Sequence, residues 1–252
     1  MQLKQRIVFL WVVASVCVGH AAFAQDELTG MYRLTRPPAE IVNADFAEAL
    51  DQVIPRNEKL QWQVFVPDNY EASKPAGLFL YLDPDGSGLM PDQWRQVFTQ
   101  HNIIWVSPRR TTRREDETRR TWHGILGSRA IAKDYNIDLQ RMYVGGYEGT
   151  VRTAIVTMLT ANEFSGALYV RGSYYSDELT PDQLQAMQRK YHVFISSTND
   201  KQGPQVRRDY ERYQQDGIYN SKLIFELERM SRTPTPEQMD EVFEYLGSSV
   251  LR

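Results

Sequence analysis

From about residue 60 onward, short apolar runs alternate with longer segments of helical spacing. Runs rich in aromatic and β-branched residues fall at 62–66, 78–82, 103–106, 142–144, 167–170, 192–196 and 223–225. Between most of them, at 92–100, 125–135, 151–159, 182–190 and 206–215, apolar positions recur three and four apart and predict helices, with a last one at 236–246. Strands that are apolar on both faces and separated by helices predict an α/β domain, a mostly parallel sheet with helices on both faces. Two helix starts are explicit. Thr180-Pro181-Asp182-Gln183 and Thr235-Pro236-Glu237-Gln238 each put a hydroxyl at the N-cap, proline at the first helical position and glutamine at the third. Residues 25–57 show only an apolar spacing at 41–50 and read as an N-terminal arm with one short helix. The main domain is expected at 58–252.

The first 24 residues have the pattern of a cleavable export signal. Lys4 and Arg6 form a basic start, residues 7–18 are a continuous apolar run, and Ala22-Phe23-Ala24 is an A-x-A cleavage site. The run is shorter than the roughly 20 residues needed to span a bilayer, so cleavage after Ala24 is expected rather than anchoring. A lipid anchor on Cys17 is disfavoured by the bulky Val16. The expected location is periplasmic or secreted. Cys17 is the only cysteine, so the exported chain would rely on its core without disulfides, which its length allows. The formal charge is −3, and loss of Lys4 and Arg6 makes it more acidic by two. That balance gives no reason to expect a nucleic-acid partner. No second apolar run reaches membrane-spanning length, and no cofactor or metal is called for.

The candidate chemistry centres on Arg141–Thr150. A short apolar strand runs into Gly145-Gly146-Tyr147-Glu148-Gly149-Thr150 and then into a helical pattern. This is the context of the Gly-x-Ser-x-Gly elbow, in which the central residue is presented at the carboxyl end of a sheet. Here the centre is Glu148, and Thr150 stands at the last glycine. With the segments Phe65–Tyr70, Lys74–Leu82, the turn Asp83–Gly88, His101–Ser107, Tyr135–Asp138 and Ser197–Asp200, the chain resembles the α/β-hydrolase superfamily. The branch indicated is that of secreted esterases, polyhydroxybutyrate depolymerases and prolyl-oligopeptidase-like proteins, over about residues 64–246.

The resemblance implies a Ser, Asp, His triad in that chain order, with backbone donors forming an oxyanion hole. Its nucleophile position falls on Glu148 and its acid on Asp200. Its base is expected between Glu226 and Thr235, where there is no histidine; none occurs anywhere after His192. The oxyanion loop would comprise Asp85, Gly86 and Gly149. The family's His-Gly pattern is replaced there by Asp83-Pro84, which adds negative charge and removes one N–H. A carboxylate at the nucleophile position cannot replace serine in acyl transfer.

The expectation is therefore a degenerate triad. Asp83, Asp85, Glu148 and Asp200 are expected to converge in one cleft. They would be balanced either by a hard cation or amine ligand, or by an arginine, which is the favoured reading: Arg171 or one from the arginine-rich loop at 109–120. Tyr147, Trp122 and His123 are further cleft candidates, although a histidine beside a tryptophan is more often packing. Tyr174 and Tyr175 add a possible aromatic wall. The arginine-rich segment 109–120, around Glu115-Asp116-Glu117, reads as a self-pairing loop. Three readings stay open: a pseudoenzyme binding a ligand or partner in the former active-site cleft, an esterase-type hydrolase with a non-standard catalytic group, and an interaction protein using its outer surface.

Overall fold

The computed structural model describes residues 28–111, 115–176, 179–227 and 233–248; the export-signal segment, Arg113, Arg114 and most of the segment expected to carry a base lie outside them. Eight strands form one sheet: β1 (Gly30–Arg36), β2 (Leu60–Val66), β3 (Ala76–Leu82), β4 (Ile103–Pro108), β5 (Ile137–Tyr147), β6 (Gly166–Val170), β7 (Tyr191–Ser197) and β8 (Ser221–Glu226). Their order is β1-β2-β4-β3-β5-β6-β7-β8. β2 is antiparallel to both β1 and β4, and every pair from β4 to β8 is parallel.

Helices α1 (Pro38–Ile41), α2 (Ala44–Leu50), α3 (Arg95–Gln100), α4 (Glu117–Asp134), α5 (Val151–Thr160), α6 (Pro181–Gln188), α7 (Gly203–Gln215) and α8 (Pro236–Gly247) cover the sheet. All seven residues of β3 are buried, as a strand covered on both faces requires. One apolar layer gathers Trp62, Leu80, Ile104, Leu126, Met158 and Tyr213. The opposite layer is aromatic: Phe79, Trp94, Phe98, Trp105 and Phe243 pack there, with Phe98 and Phe243 edge-to-face at 4.9 Å. The buried Trp94 Nε1 donates to the Pro234 carbonyl at 2.8 Å, so this tryptophan adds bulk without an orphaned donor. No helix among the described residues is long and apolar enough to cross a membrane.

The expected helix starts form as reciprocal caps. Thr180 Oγ1 accepts the Gln183 N–H at 3.2 Å, and Gln183 Oε1 accepts the Thr180 N–H at 2.9 Å. Thr235 and Gln238 do the same at 3.3 and 2.9 Å.

Three expectations need correction. The segment 25–57 is not a separate arm: β1 pairs with β2 along its whole length, and two helices follow it. As an edge strand β1 buries only Leu34, which leaves its periodicity too weak to read. β5 extends well before 142, because its first half is polar and partly exposed. Finally, α4 begins at Glu117 and not at 125, since Asp116 caps it by accepting the Thr118 and Arg119 N–H groups. Arg119, Arg120, Trp122 and His123 are thus helical residues and not loop residues. Their neighbourhood self-pairs as a charged surface does: Arg119 with Glu58, and Arg152 with Glu117 at 3.2 Å.

Candidate ligand cleft at the strand–helix elbow

β5 ends at Tyr147 and α5 begins at Val151, with a single 3-10 turn between them. Glu148 opens that turn at φ 46°. This left-handed conformation costs a non-glycine residue about 1–3 kcal/mol and clusters at functional sites. The turn is tight enough that a Cβ on Gly146 would lie 2.7 Å from the Thr150 carbonyl oxygen, and one on Gly172 would lie 2.9 Å from that of Glu148. Thr150 stabilises the elbow from below. Its hydroxyl accepts the Tyr147 N–H at 2.9 Å and donates to the Leu82 carbonyl at 2.6 Å, fastening the turn to the end of β3.

Above the elbow, charges of both signs meet. Arg171 follows β6 and is itself left-handed, at φ 52°. Its Nη1 donates to the Tyr147 hydroxyl at 3.0 Å, its Nη2 lies 3.8 Å from Glu148 Oε1, and its Nε lies 2.9 Å from Asp200 Oδ1. The Nε–H is not aimed at that oxygen, so the contact with Asp200 is an ion pair rather than a directed hydrogen bond. Asp200 follows β7, with its side chain 3% exposed. Its Oδ2 accepts the Ser197 N–H at 2.9 Å and the Ser196 hydroxyl at 3.1 Å. Glu148, Arg171 and Asp200 line a cavity of about 220 Å3 together with Lys201 and Gln202. The sequence reading missed the last two, although their place beside Asp200 in the loop after β7 was a usable signal.

The four carboxylates expected to converge do not. Asp83 turns back on its own loop, where its carboxylate accepts the N–H groups of Asp85 (3.2 Å), Ser87 (2.8 Å) and Gly88 (3.1 Å). Short side chains that can accept local backbone donors do this at turns. Asp83 lines a separate crevice with Pro84, Arg120 and Thr150, and Asp85 is exposed. Gly86 is required by geometry: it sits at φ 63°, and a Cβ there would fall 1.7 Å from the Thr111 carbonyl oxygen. Its own carbonyl accepts the Arg110 N–H at 2.8 Å. Gly149 is exposed, in the 3-10 turn ahead of α5. Among the described residues no group of three or more His, Cys, Asp or Glu side chains is placed to hold a metal.

Trp122 and His123 lie away from this cleft. Trp122 packs edge-on against Phe46 of α2 at 5.5 Å. His123 is buried under β2, edge-to-face with Trp62 at 5.2 Å, and its Nε2 donates to the Gln61 carbonyl at 3.2 Å. Burial pushes its pKa down to about 4, which keeps the ring neutral. His192 is likewise held neutral by burial, near 4; its Nε2 donates to the Met187 carbonyl, and its Nδ1 accepts from the Tyr169 hydroxyl, both at 3.0 Å. His101 pairs with Asp240 at 2.6 Å. Among the described residues, none of these three rings meets a serine hydroxyl or Glu148. Tyr174 and Tyr175 face α5–α7 instead of the elbow, beneath Arg152 and Arg212 respectively.

Comparison with known proteins places this geometry. No family model matches the chain, and no curated protein matches it by sequence. Solved structures do match. A ferulic acid esterase superposes with a TM-score of 0.61 at 11% identity, covering 87% of this chain and 98% of that one. A thermostable esterase matches at 0.56 and 13%, over 90% of this chain; the chain spans only 62% of that esterase's length. The S-formylglutathione hydrolase FrmB of Staphylococcus aureus gives 0.54 and 8%, over 88% and 96% of the two chains. Strand order, elbow and these likenesses define the class: the chain has the α/β-hydrolase fold, and its neighbours are esterases and related hydrolases.

Proposed function

We propose that this chain is an exported, esterase-like α/β-hydrolase relative that binds a ligand or partner in the cleft above Glu148 without hydrolysing it. One observation carries the reading. The buried Asp200, at the position of a triad acid, is paired with the Arg171 guanidinium instead of an imidazole. A guanidinium stays protonated at any physiological pH, so it cannot take a proton from a nucleophile and hand it to a leaving group. Glu148 at the elbow offers no proton to be removed, and its attack on an ester would form a mixed anhydride. What the cleft retains is binding chemistry. Glu148, Lys201 and Arg171 on its lining offer both signs of charge to a small polar ligand.

The test is direct. The purified protein should show no labelling by a fluorophosphonate probe. Its turnover of short-chain nitrophenyl esters should not exceed that of a Glu148→Ala control. Turnover abolished by that substitution would replace the proposal with a hydrolase that uses the carboxylate as nucleophile. The export half of the proposal rests on residues 1–24 and predicts a mature chain beginning at Gln25 in the periplasmic or secreted fraction, read by intact mass.

A further inference from the structure

A second cavity lies at the opposite end of the sheet from the elbow. β5, β6 and β7 run parallel, and the elbow sits where β5 ends, whereas this cavity of about 530 Å3 opens where the three strands begin. Leu139 and Gln140 of β5 line it, with Asn162, Glu163, Phe164 and Ser165 ahead of β6, and with Ala186, Arg189, Lys190 and Tyr191 between α6 and β7.

Its charges do not balance. Glu163 is the one carboxylate on the lining, and it is already engaged by Arg129 of α4, whose Nη2 lies 3.1 Å and Nε 3.3 Å from Oε2. Arg189 is exposed at the rim. Lys190 is 6% exposed, and its ammonium donates to the Phe164 carbonyl at 2.5 Å. An ammonium carries three donors, and no second acceptor for this one is found among the described residues. Burial, with the neighbouring Arg189 charge adding to it, lowers the Lys190 pKa to about 8, while Glu163 opposes the shift. A buried cation left short of acceptors, beside a second cation and on the wall of a cavity, is a place where an anion replaces lost solvation. The rest of the lining supports a body as well as a head: Leu139 is 67% exposed, and the partly exposed Ala186 and Tyr191 add apolar surface.

We propose that this cavity is a second ligand site, taking a small organic carboxylate whose anionic head meets Lys190 and Arg189 and whose apolar body lies along Leu139 and Tyr191. The site is independent of the elbow cleft and of whether that cleft is catalytically silent. Anion binding favours the charged amine, so a bound carboxylate raises the Lys190 pKa above about 8, and binding near and just above pH 8 takes up protons. The charged and titratable groups facing the amine are Arg189 and Tyr191 beside it and the Arg129–Glu163 pair across from it.

Calorimetric titration of the full chain with benzoate, in two buffers of different ionisation enthalpy, tests the assignment. Benzamide serves as the neutral isostere and inorganic phosphate as the bodiless anion. The expected result is benzoate binding with proton uptake at pH 8, weakened at least about tenfold in Lys190→Met, since a charge-assisted partner is lost. Binding should also be weaker in Arg189→Gln, an exposed change that leaves the core untouched, and unaltered in Glu148→Ala. No benzoate binding, or equal binding of benzamide, overturns the proposal. Binding that survives both basic-residue substitutions overturns it as well. Phosphate binding in place of benzoate would make this an inorganic-anion site and refute the organic ligand.

Discussion

Arg171 is the residue on which the reading of the cleft turns, and replacing it has a calculable consequence. In Arg171→Gln the Asp200 carboxylate, 3% exposed, loses its only charged partner within ion-pair distance among the described residues. Removing one member of a buried ion pair typically costs about 3–5 kcal/mol, because the other charge is left uncompensated. Two features of the site lower that figure. Asp200 keeps its bonds from the Ser197 N–H and the Ser196 hydroxyl, and Arg171 is 22% exposed, so water already screens part of the interaction. Loss of the cation–π contact with Tyr147, at 5.7 Å, restores about 0.5 kcal/mol of the cost. The expected destabilisation is about 2–3 kcal/mol, measured by urea unfolding at pH 7. Asp200→Asn in the Arg171→Gln background should recover more than half of it, since the stranded charge is then gone. A loss below about 1 kcal/mol, or a double variant no better than Arg171→Gln, would show that Arg171 does not neutralise Asp200 and would remove the main support for a non-catalytic cleft.

Glu148→Gly should stabilise the protein. Glycine adopts the φ of 46° without strain, and after subtracting the favourable effect of an acid at the start of α5 a net gain of about 0.5–1 kcal/mol is expected in the urea midpoint; equal or lower stability would mean the elbow stores no strain. Acid should destabilise the fold through His123 and His192. Their native pKa values, depressed from 6.5 to about 4, mean that the unfolded chain binds protons first, so stability falls as pH drops from 6.5 toward 4. Each contributes about 2 kcal/mol of loss between pH 7 and 5; His192→Gln should remove about half of the drop, and a midpoint independent of pH over that range would refute neutral burial of both rings.

The central strands, the helices between them and the two reciprocal caps were legible because each rests on local information. A strand buried on both faces must be continuously apolar, and a cap needs its two residues only three positions apart. The elbow was legible for the same reason, since glycines and a strand–helix junction lie within ten residues of one another. The edge strand β1 was not, because burial of Leu34 alone leaves no period to detect. Neither was the true start of α4, where charged residues follow an Asp116 cap and the apolar face appears a turn later.

Sequence by itself also determined which residue types occupy the expected positions: no serine stands at position 148, and no histidine follows position 192. Tertiary structure alone decided who meets whom. It turned Asp83 into its own loop, packed Trp122 against α2 and His123 against β2, and brought Arg171 from the end of β6 onto Asp200 from the end of β7. Parallel strands deliver residues far apart in the chain to one edge of the sheet, but side-chain direction and loop closure choose among them, and those depend on packing that no local spacing encodes.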